Sequence, residues 1–235
     1  MKSRDMIKSE TLQNTGKILK AVSYFSQLDA AELKVVAQSA IRRMYDPDQV
    51  ILFEGEPYAG LYIVESGWLK AVKIGLDGRE QILQTLGPGD IFNAISVFTD
   101  APNQATVAAL ETSEVWIIQR EVILRLIEEH PTLARLVIRD LAGRVQQLIR
   151  MVEDLSLRSV EARLARLLLE QAEGESVQRR RWATQSEMAS RLGTVPDVVN
   201  RALRKLAEQG LIHVERHQIQ ILDQEGLQAV AQTVE

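Results

Sequence analysis

Between residues 179 and 205 the chain gathers seven basic side chains, Arg179, Arg180, Arg181, Arg191, Arg201, Arg204 and Lys205, against two acidic ones, Glu187 and Asp197. The local net is +5 in a protein whose formal total is -4. Cationic groups collected this way neutralise phosphate, so this stretch is where a nucleic acid would be met. Two helix starts lie inside it. Thr184-Gln-Ser-Glu187 reads as a capping box that opens a short helix, and Gly193 stops it. Thr194 is the predicted N-cap of a second helix, with Pro196 tolerated in its first turn and Val198, Val199, Ala202, Leu203 and Leu206 as its apolar stripe. Two short helices joined by a tight glycine turn can place the second in a major groove. The alternative is a plain helical hairpin with solvated arginines. LIHVERHQIQIL beyond it reads as a two-stranded wing.

Other chemistry has little to stand on. With no cysteine in 235 residues, thiol catalysis, a disulfide framework and an iron–sulfur cluster held by this chain are excluded. The neighbouring carboxylates Glu128-Glu129 and Glu153-Asp154 point about 100° apart on a helix and face solvent. No P-loop, serine elbow or metal cluster is present, so no catalytic or metal-binding residue is expected and the chain is not read as an enzyme. His130 precedes a helix start, and His213 and His217 fall in the wing, where their spacing does not make a metal site. Tyr62 and Trp68 are read as packing residues of strands.

The elements that must carry the basic stretch follow from periodicity. From Ile41 to Gln119, glycines 55, 60, 67, 75, 78, 87 and 89 separate short β-prone runs, the pattern of a small barrel or sandwich, with Asp77-Gly78 as a hairpin signal. Helices are predicted ahead of it, near Thr15–Ser23 and Asp29–Ser39. After REVILRLIEEHP, Pro131 opens a long helix on which Ala134, Ile138, Leu141, Val145, Leu148, Val152 and Leu155 recur at steps of four and three. Such a seam suits either a core helix or a partner helix. The opposite face, with Arg135, Arg139, Arg144, Gln147, Arg150 and Glu153, leaves a narrow stripe that favours a parallel homodimer through Ile138, Leu141, Val145, Leu148, Val152 and Leu155. A hinge is placed at Leu157–Ser159, before a helix running to Gln171. The polar N-terminal stretch and the lack of any long apolar run predict a cytoplasmic protein without a membrane partner.

Taken together, the chain resembles the Crp/Fnr family of bacterial transcription regulators from about Ile18 to Asp223. The resemblance is carried by F-x-G at Phe53–Gly55 with Glu-Pro following, LYIVESGWLKAVK at Leu61–Lys73, LGPGDIF at Leu86–Phe92 and QSEMASRLGTVPDVVNRALRKLAEQGLI at Gln185–Ile212. It implies an α+β protein with an N-terminal double-stranded β-helix (a jelly roll of the cyclic-nucleotide-binding type), a long dimerisation helix and a C-terminal winged helix-turn-helix. The corresponding domains are 1–130, 131–157 and 158–235. A homodimer, double-stranded DNA with an inverted repeat, and RNA polymerase are the implied partners. The alternative is a ligand-sensing or scaffolding dimer without specific DNA binding.

The family pattern maps residue by residue. Family members that bind cyclic AMP hold its phosphate with a glutamate and an arginine–serine pair, matched here by Ala94 and by Gln104-Ala105, within a segment that also holds Asn93 and Ile95. Their threonine and serine on the dimer helix are matched by Leu148 and Ile149. The charge-assisted partners of a cyclic phosphate are therefore missing, and cyclic AMP binding is not expected. The segment FNAISVFTDAPN and Pro196 resemble the nitrogen-oxide-responsive branch, associated with haem, so the cofactor stays open. In the recognition helix the matches are Pro196, Asp197, Asn200 and Arg201. Arg201 is placed to take guanine O6 and N7 together, and Asp197 to accept from a cytosine amino group. Proline removes one arginine contact, which moves the expected half-site towards TTGA. Gln185, Thr194 and Arg204 are expected phosphate contacts.

Overall fold

The computed structural model describes residues 19–20, 22–57, 60–172, 174–178 and 184–233. The first predicted helix, near Thr15–Ser23, lies largely outside them, as do Arg179, Arg180 and Arg181. The chain forms two compact units, residues 1–73 with 84–144 and residues 74–83 with 145–235.

Strands β1 (Ile41–Tyr45), β2 (Val50–Leu52), β3 (Leu61–Ser66), β4 (Leu69–Ile74), β5 (Glu80–Leu86), β6 (Ile91–Phe92), β7 (Thr106–Ala109) and β8 (Ser113–Ile118) build two four-stranded sheets. Their orders are β1-β8-β3-β6 and β2-β7-β4-β5, the interleaving of a jelly roll. Strand alternation divides the side chains into two cores. Tyr62, Val64, Val115 and Ile117 turn inward onto Leu69, Leu86, Phe92 and Val107. Leu61, Ile63, Trp116 and Ile118 turn outward beneath helices α1 (Ala30–Ser39), α3 (Arg120–Glu129) and the start of α4 (Pro131–Leu157). At the turn between β3 and β4 only glycine fits: Gly67 has φ +85°, and a Cβ there would lie 2.6 Å from the Thr112 carbonyl oxygen.

Helix α1 starts where the sequence places it. Asp29 Oδ1 accepts from the Ala31 and Glu32 amides at 2.8 and 2.9 Å, and the Asp29 amide donates to Glu32 Oε2 at 2.7 Å. Pro131 is the first residue of the 27-residue α4, which contributes residues to Arg144 to the first unit and from Val145 to the second.

The second unit continues with α5 (Val160–Gln171), β9 (Ser176–Gln178), α6 (Gln185–Leu192), α7 (Pro196–Glu208), β10 (Ile212–Val214), β11 (Gln218–Ile221) and α8 (Gln224–Gln232). Leu164, Leu168, Val199, Leu203, Leu206, Ile212, Ile219 and Leu227 form its core. The wing differs from expectation: it is three-stranded, because β9 pairs with β11 (Val177 opposite Ile219) as well as β11 with β10. A three-residue strand with one buried apolar side chain, inside the polar run EGESVQ, leaves no alternation to read. Helix α8 was likewise unforeseen; Asp223 caps it by accepting from the Gly226 amide at 2.9 Å.

Candidate nucleic-acid interface and effector segment

Helix α6 is opened by Thr184, whose hydroxyl accepts from the Glu187 amide at 3.2 Å, and closed by Gly193 at φ +61°. The next helix does not start as predicted. Its N-cap is Val195, not Thr194, and no side chain caps it. Pro196 holds the preceding residue extended, so helical backbone can begin only at the proline itself. From that start, Val199, Ala202, Leu203 and Leu206 are buried. Asp197, Asn200, Arg201 and Arg204, at i, i+3, i+4 and i+7, form the opposite stripe, with Asp197, Arg201 and Arg204 exposed.

Not every cation in this stretch is available. Lys205 Nζ is held by Glu161 Oε2 of α5 at 2.6 Å. Burial pulls the Arg191 guanidinium below its ordinary pKa, with Glu187 opposing. Among the described residues this leaves Arg201 and Arg204 as the exposed guanidinium groups of the α6–α7 pair. Gln185, exposed at the first turn of α6, accepts from Asn200 Nδ2 at 2.9 Å through Oε1. That bond joins the two helices at the exposed face and leaves the Gln185 amino group to donate. Thr194, half-buried, sits in the turn.

The segment matched to cyclic-phosphate binding lies between β6 and β7, around the short helix α2 (Ala94–Thr99). Asn93 takes φ +65°, and its amide nitrogen donates to the Gly60 carbonyl at 3.2 Å. Ala94 is buried in the outer core, whereas Ile95 is exposed. Gln104 folds back to donate to the Pro102 carbonyl at 2.8 Å, and Ala105 is half-buried. Asn103, 3% exposed, donates from Nδ2 to the Phe53 carbonyl at 3.0 Å. The amide side chains Asn93, Asn103 and Gln104 of this segment thus each donate to a backbone carbonyl.

On α4, Ile138, Val145, Leu148, Ile149, Val152 and Leu155 are exposed. Leu141 departs from the predicted seam by packing against the outer core of the first unit. Arg144 also departs from its predicted solvent face. Its Nε donates to Asp140 Oδ2 at 2.9 Å, its Nη1 to Gln84 Oε1 at 3.1 Å and its Nη2 to the Ile91 carbonyl at 2.5 Å. Tyr24 donates to the same Asp140 oxygen at 2.6 Å. The seam drifts because the straight helix, at 3.6 residues per turn, turns out of phase with a seven-residue repeat.

The chain matches the cyclic nucleotide-binding domain over residues 42–130 and the Crp-like helix-turn-helix domain over residues 162–230. It is 27% identical over 217 residues to the CRP-like cAMP-activated global transcriptional regulator of Mycobacterium tuberculosis, covering 90% of this chain and 97% of that one. It is 28% identical over 216 residues to the cyclic AMP receptor protein of Thermus thermophilus, covering 91% and 98%. The structure of FixK2 from Bradyrhizobium japonicum shares its fold with a TM-score of 0.74 at 23% identity, over 83% of this chain and 99% of that one. This chain belongs to the Crp/Fnr family. It is a DNA-binding transcription regulator of the Crp/Fnr type, and the matched domains cover both the roll and the α6–α7 pair.

Within that Crp/Fnr frame, the histidines do not serve the roll. His130 caps the end of α3 and its Nε2 lies 2.9 Å from Glu32 Oε1, a partner that the sequence reading missed. His213 and His217 are exposed in the wing. No histidine lines the inner core, and Tyr62 stacks on Phe92 there with ring centroids 4.9 Å apart. Burial pushes the Tyr62 phenol up to about 12, so it is a neutral packing group at ordinary pH. The inner core thus offers no histidine as an axial ligand for haem. Among the described residues, no group of three or more His, Asp or Glu side chains could hold a metal, and no helix is long and apolar enough to cross a membrane.

Proposed function

We propose that the protein acts in the cytoplasm as a homodimer that binds an inverted repeat of TTGA-like half-sites and meets RNA polymerase there, with a roll that does not take cyclic AMP. The observation that carries the reading is the stripe of Asp197, Asn200, Arg201 and Arg204, its charged members exposed, on a helix whose other face is buried. Arg201 reads guanine in two hydrogen bonds, Asp197 accepts from cytosine, and Gln185, Thr194 and Arg204 hold phosphates. Pro196 contributes no base contact.

The dimer is supported by the apolar stripe of Ile138, Val145, Leu148, Val152 and Leu155, left exposed in the single chain. A second copy covers it, and two-fold symmetry then sets the recognition helices about 34 Å apart, one turn of the duplex. The rejection of cyclic AMP is supported by the segment around α2. Ala94 is buried, Gln104 is bonded to its own loop, and Leu148 and Ile149 are apolar, so the anionic phosphate finds no charge-assisted partner in it. The relatives named for cyclic AMP share the frame, and the ligand chemistry differs.

Fluorescence anisotropy of the purified protein on a TTGA inverted repeat and on a scrambled control, across a salt series, tests the reading. Discrimination of the repeat is expected without added ligand and unchanged by cyclic AMP. Arg201→Ala is expected to weaken binding to the repeat by roughly 5- to 150-fold, the worth of one bidentate contact, while leaving the scrambled duplex nearly unaffected. Equal binding of both duplexes by the native protein, or a sharp gain with cyclic AMP, overturns it.

A further inference from the structure

Only Arg158 and Ser159 separate the end of α4 at Leu157 from the start of α5 at Val160. Ser159 is occupied in capping α5, its hydroxyl accepting from the Ala162 amide at 3.2 Å. Arg158 reaches in both directions from this break. Its side chain, 13% exposed, places Nε 3.0 Å from Asp154 Oδ1 and Nη2 3.3 Å from Glu153 Oε1, both in the last turns of α4. Its Nη1 donates at 2.6 Å to the Ala231 carbonyl in the last turn of α8. A cation at the carbonyl end of a helix is favourably placed against the helix dipole.

The same carboxylate is gripped from α5. Arg166 Nη1 lies 2.9 Å from Asp154 Oδ1, and its Nε donates to Glu170 Oε1 at 3.1 Å. Helix α8 in turn packs on α5, with Leu227 and Ala231 against the core that holds Leu164, Ala165 and Leu168. Alternating charges thus tie the end of the long helix to two helices of the DNA-binding unit across a two-residue break. None of these side chains lies on the exposed stripe of α7.

We propose that Arg158 is the positioning residue that fixes the DNA-binding unit on the long helix and thereby sets which half-site spacing the dimer accepts. The inference rests on the dimeric, repeat-reading function proposed above. Two-fold recognition demands a fixed separation of the two α7 helices, and a break of two residues without a clamp leaves that separation free. Arg158 touches no nucleic acid, so its loss changes spacing selectivity and leaves half-site reading intact.

The test compares the native protein with Arg158→Ala and Arg158→Lys on inverted repeats whose spacer is lengthened or shortened by one or two base pairs. The native dimer is expected to prefer one spacer by about tenfold. Arg158→Ala is expected to flatten that preference to about threefold or less while the penalty for scrambling a half-site stays at the native value. Arg158→Lys, which can keep one contact to the Ala231 carbonyl, falls between them and covers the case in which the alanine variant does not fold. A native spacer profile in both variants overturns the proposal.

Should the native protein fail to distinguish the repeat at all, the function fails and the clamp is judged separately. Spin labels at the exposed positions Arg150 of α4 and Glu208 of α7, in labelled chains diluted with unlabelled ones, report their separation within one chain. The distance distribution is expected to be narrow in the native protein and broad in Arg158→Ala. Equal widths overturn the clamp.

Discussion

The α6–α7 pair and the segment around α2 sit in frames of equal quality and use their polar residues in opposite ways. In the helix pair, Asp197, Arg201 and Arg204 are exposed on the side away from the core. In the α2 segment, Gln104 donates to a carbonyl of its own loop, Asn103 and Asn93 donate to carbonyls of the segment between β2 and β3, and Ala94 is buried among apolar side chains. Glycine turns and alternating apolar residues suffice to build a jelly roll, whatever it binds. Ligand chemistry rests on a few side chains that the frame does not need, so those can be replaced while the fold persists.

The sharpest way to break that contrast is to restore the charge that the α2 segment lacks. Ala94, 3% exposed, packs in the cluster with Ile91, Val97 and Ile118. In Ala94→Glu a carboxylate enters that apolar site, at a cost of roughly 3 kcal/mol. Thermal denaturation is expected to show a fall of about 10 °C, and calorimetric titration no binding of cyclic AMP. A variant as stable as the native protein, or one that binds the nucleotide, would mean that the site is an open pocket.

The fold was legible because its signals are local. Glycine spacing foretold the roll, the helical segment Asp29–Ser39 foretold α1, and Gly193 the turn between α6 and α7. The apolar stripe of α7 followed from its period alone. Other features depend on partners distant in sequence, which no local pattern records. Arg144 reads as a solvated arginine until Gln84 and the Ile91 carbonyl are seen beside it, and Lys205 counts as a free charge until Glu161 is. Strand β9 is defined by β11, 40 residues away at the Gln178–Gln218 pair. The exposure of Asp197, Arg201 and Arg204 on one stripe of α7 was readable from its period, whereas the amide bond from Asn200 to Gln185 that joins the two helices was not.

A smaller effect probes the helix pair from within. Gly193 has φ +61°, and a Cβ on it would lie 2.6 Å from Leu155 Cδ2 of α4. Gly193→Ala therefore meets both backbone strain and a side chain that must move, together about 2 kcal/mol. Hydrogen exchange across α6 is expected to accelerate by about 30-fold, with the roll unaffected. Unchanged exchange in α6 would show that the turn can be remade without glycine, and that the frame of the DNA-binding unit is looser than its caps imply.

The smallest effect lies beneath the α2 segment, inside the roll. Tyr62 is 3% exposed and stacked on Phe92, and burial, aided by Tyr45 and opposed by Arg43, pushes its phenol up to about 12. A phenol whose pKa is raised on folding favours the native state fully below its unfolded value near 10, and that contribution is lost as pH climbs through about 12. Tyr62→Phe removes the titration while keeping the ring. The stability of the native protein, followed by urea denaturation from pH 9 to 12, is therefore expected to fall more steeply than that of Tyr62→Phe over the upper part of the range. Parallel curves would mean that solvent reaches the phenol, and that the interior of the roll is open enough to admit a ligand where the packing of Leu69, Leu86 and Phe92 indicates a closed apolar core.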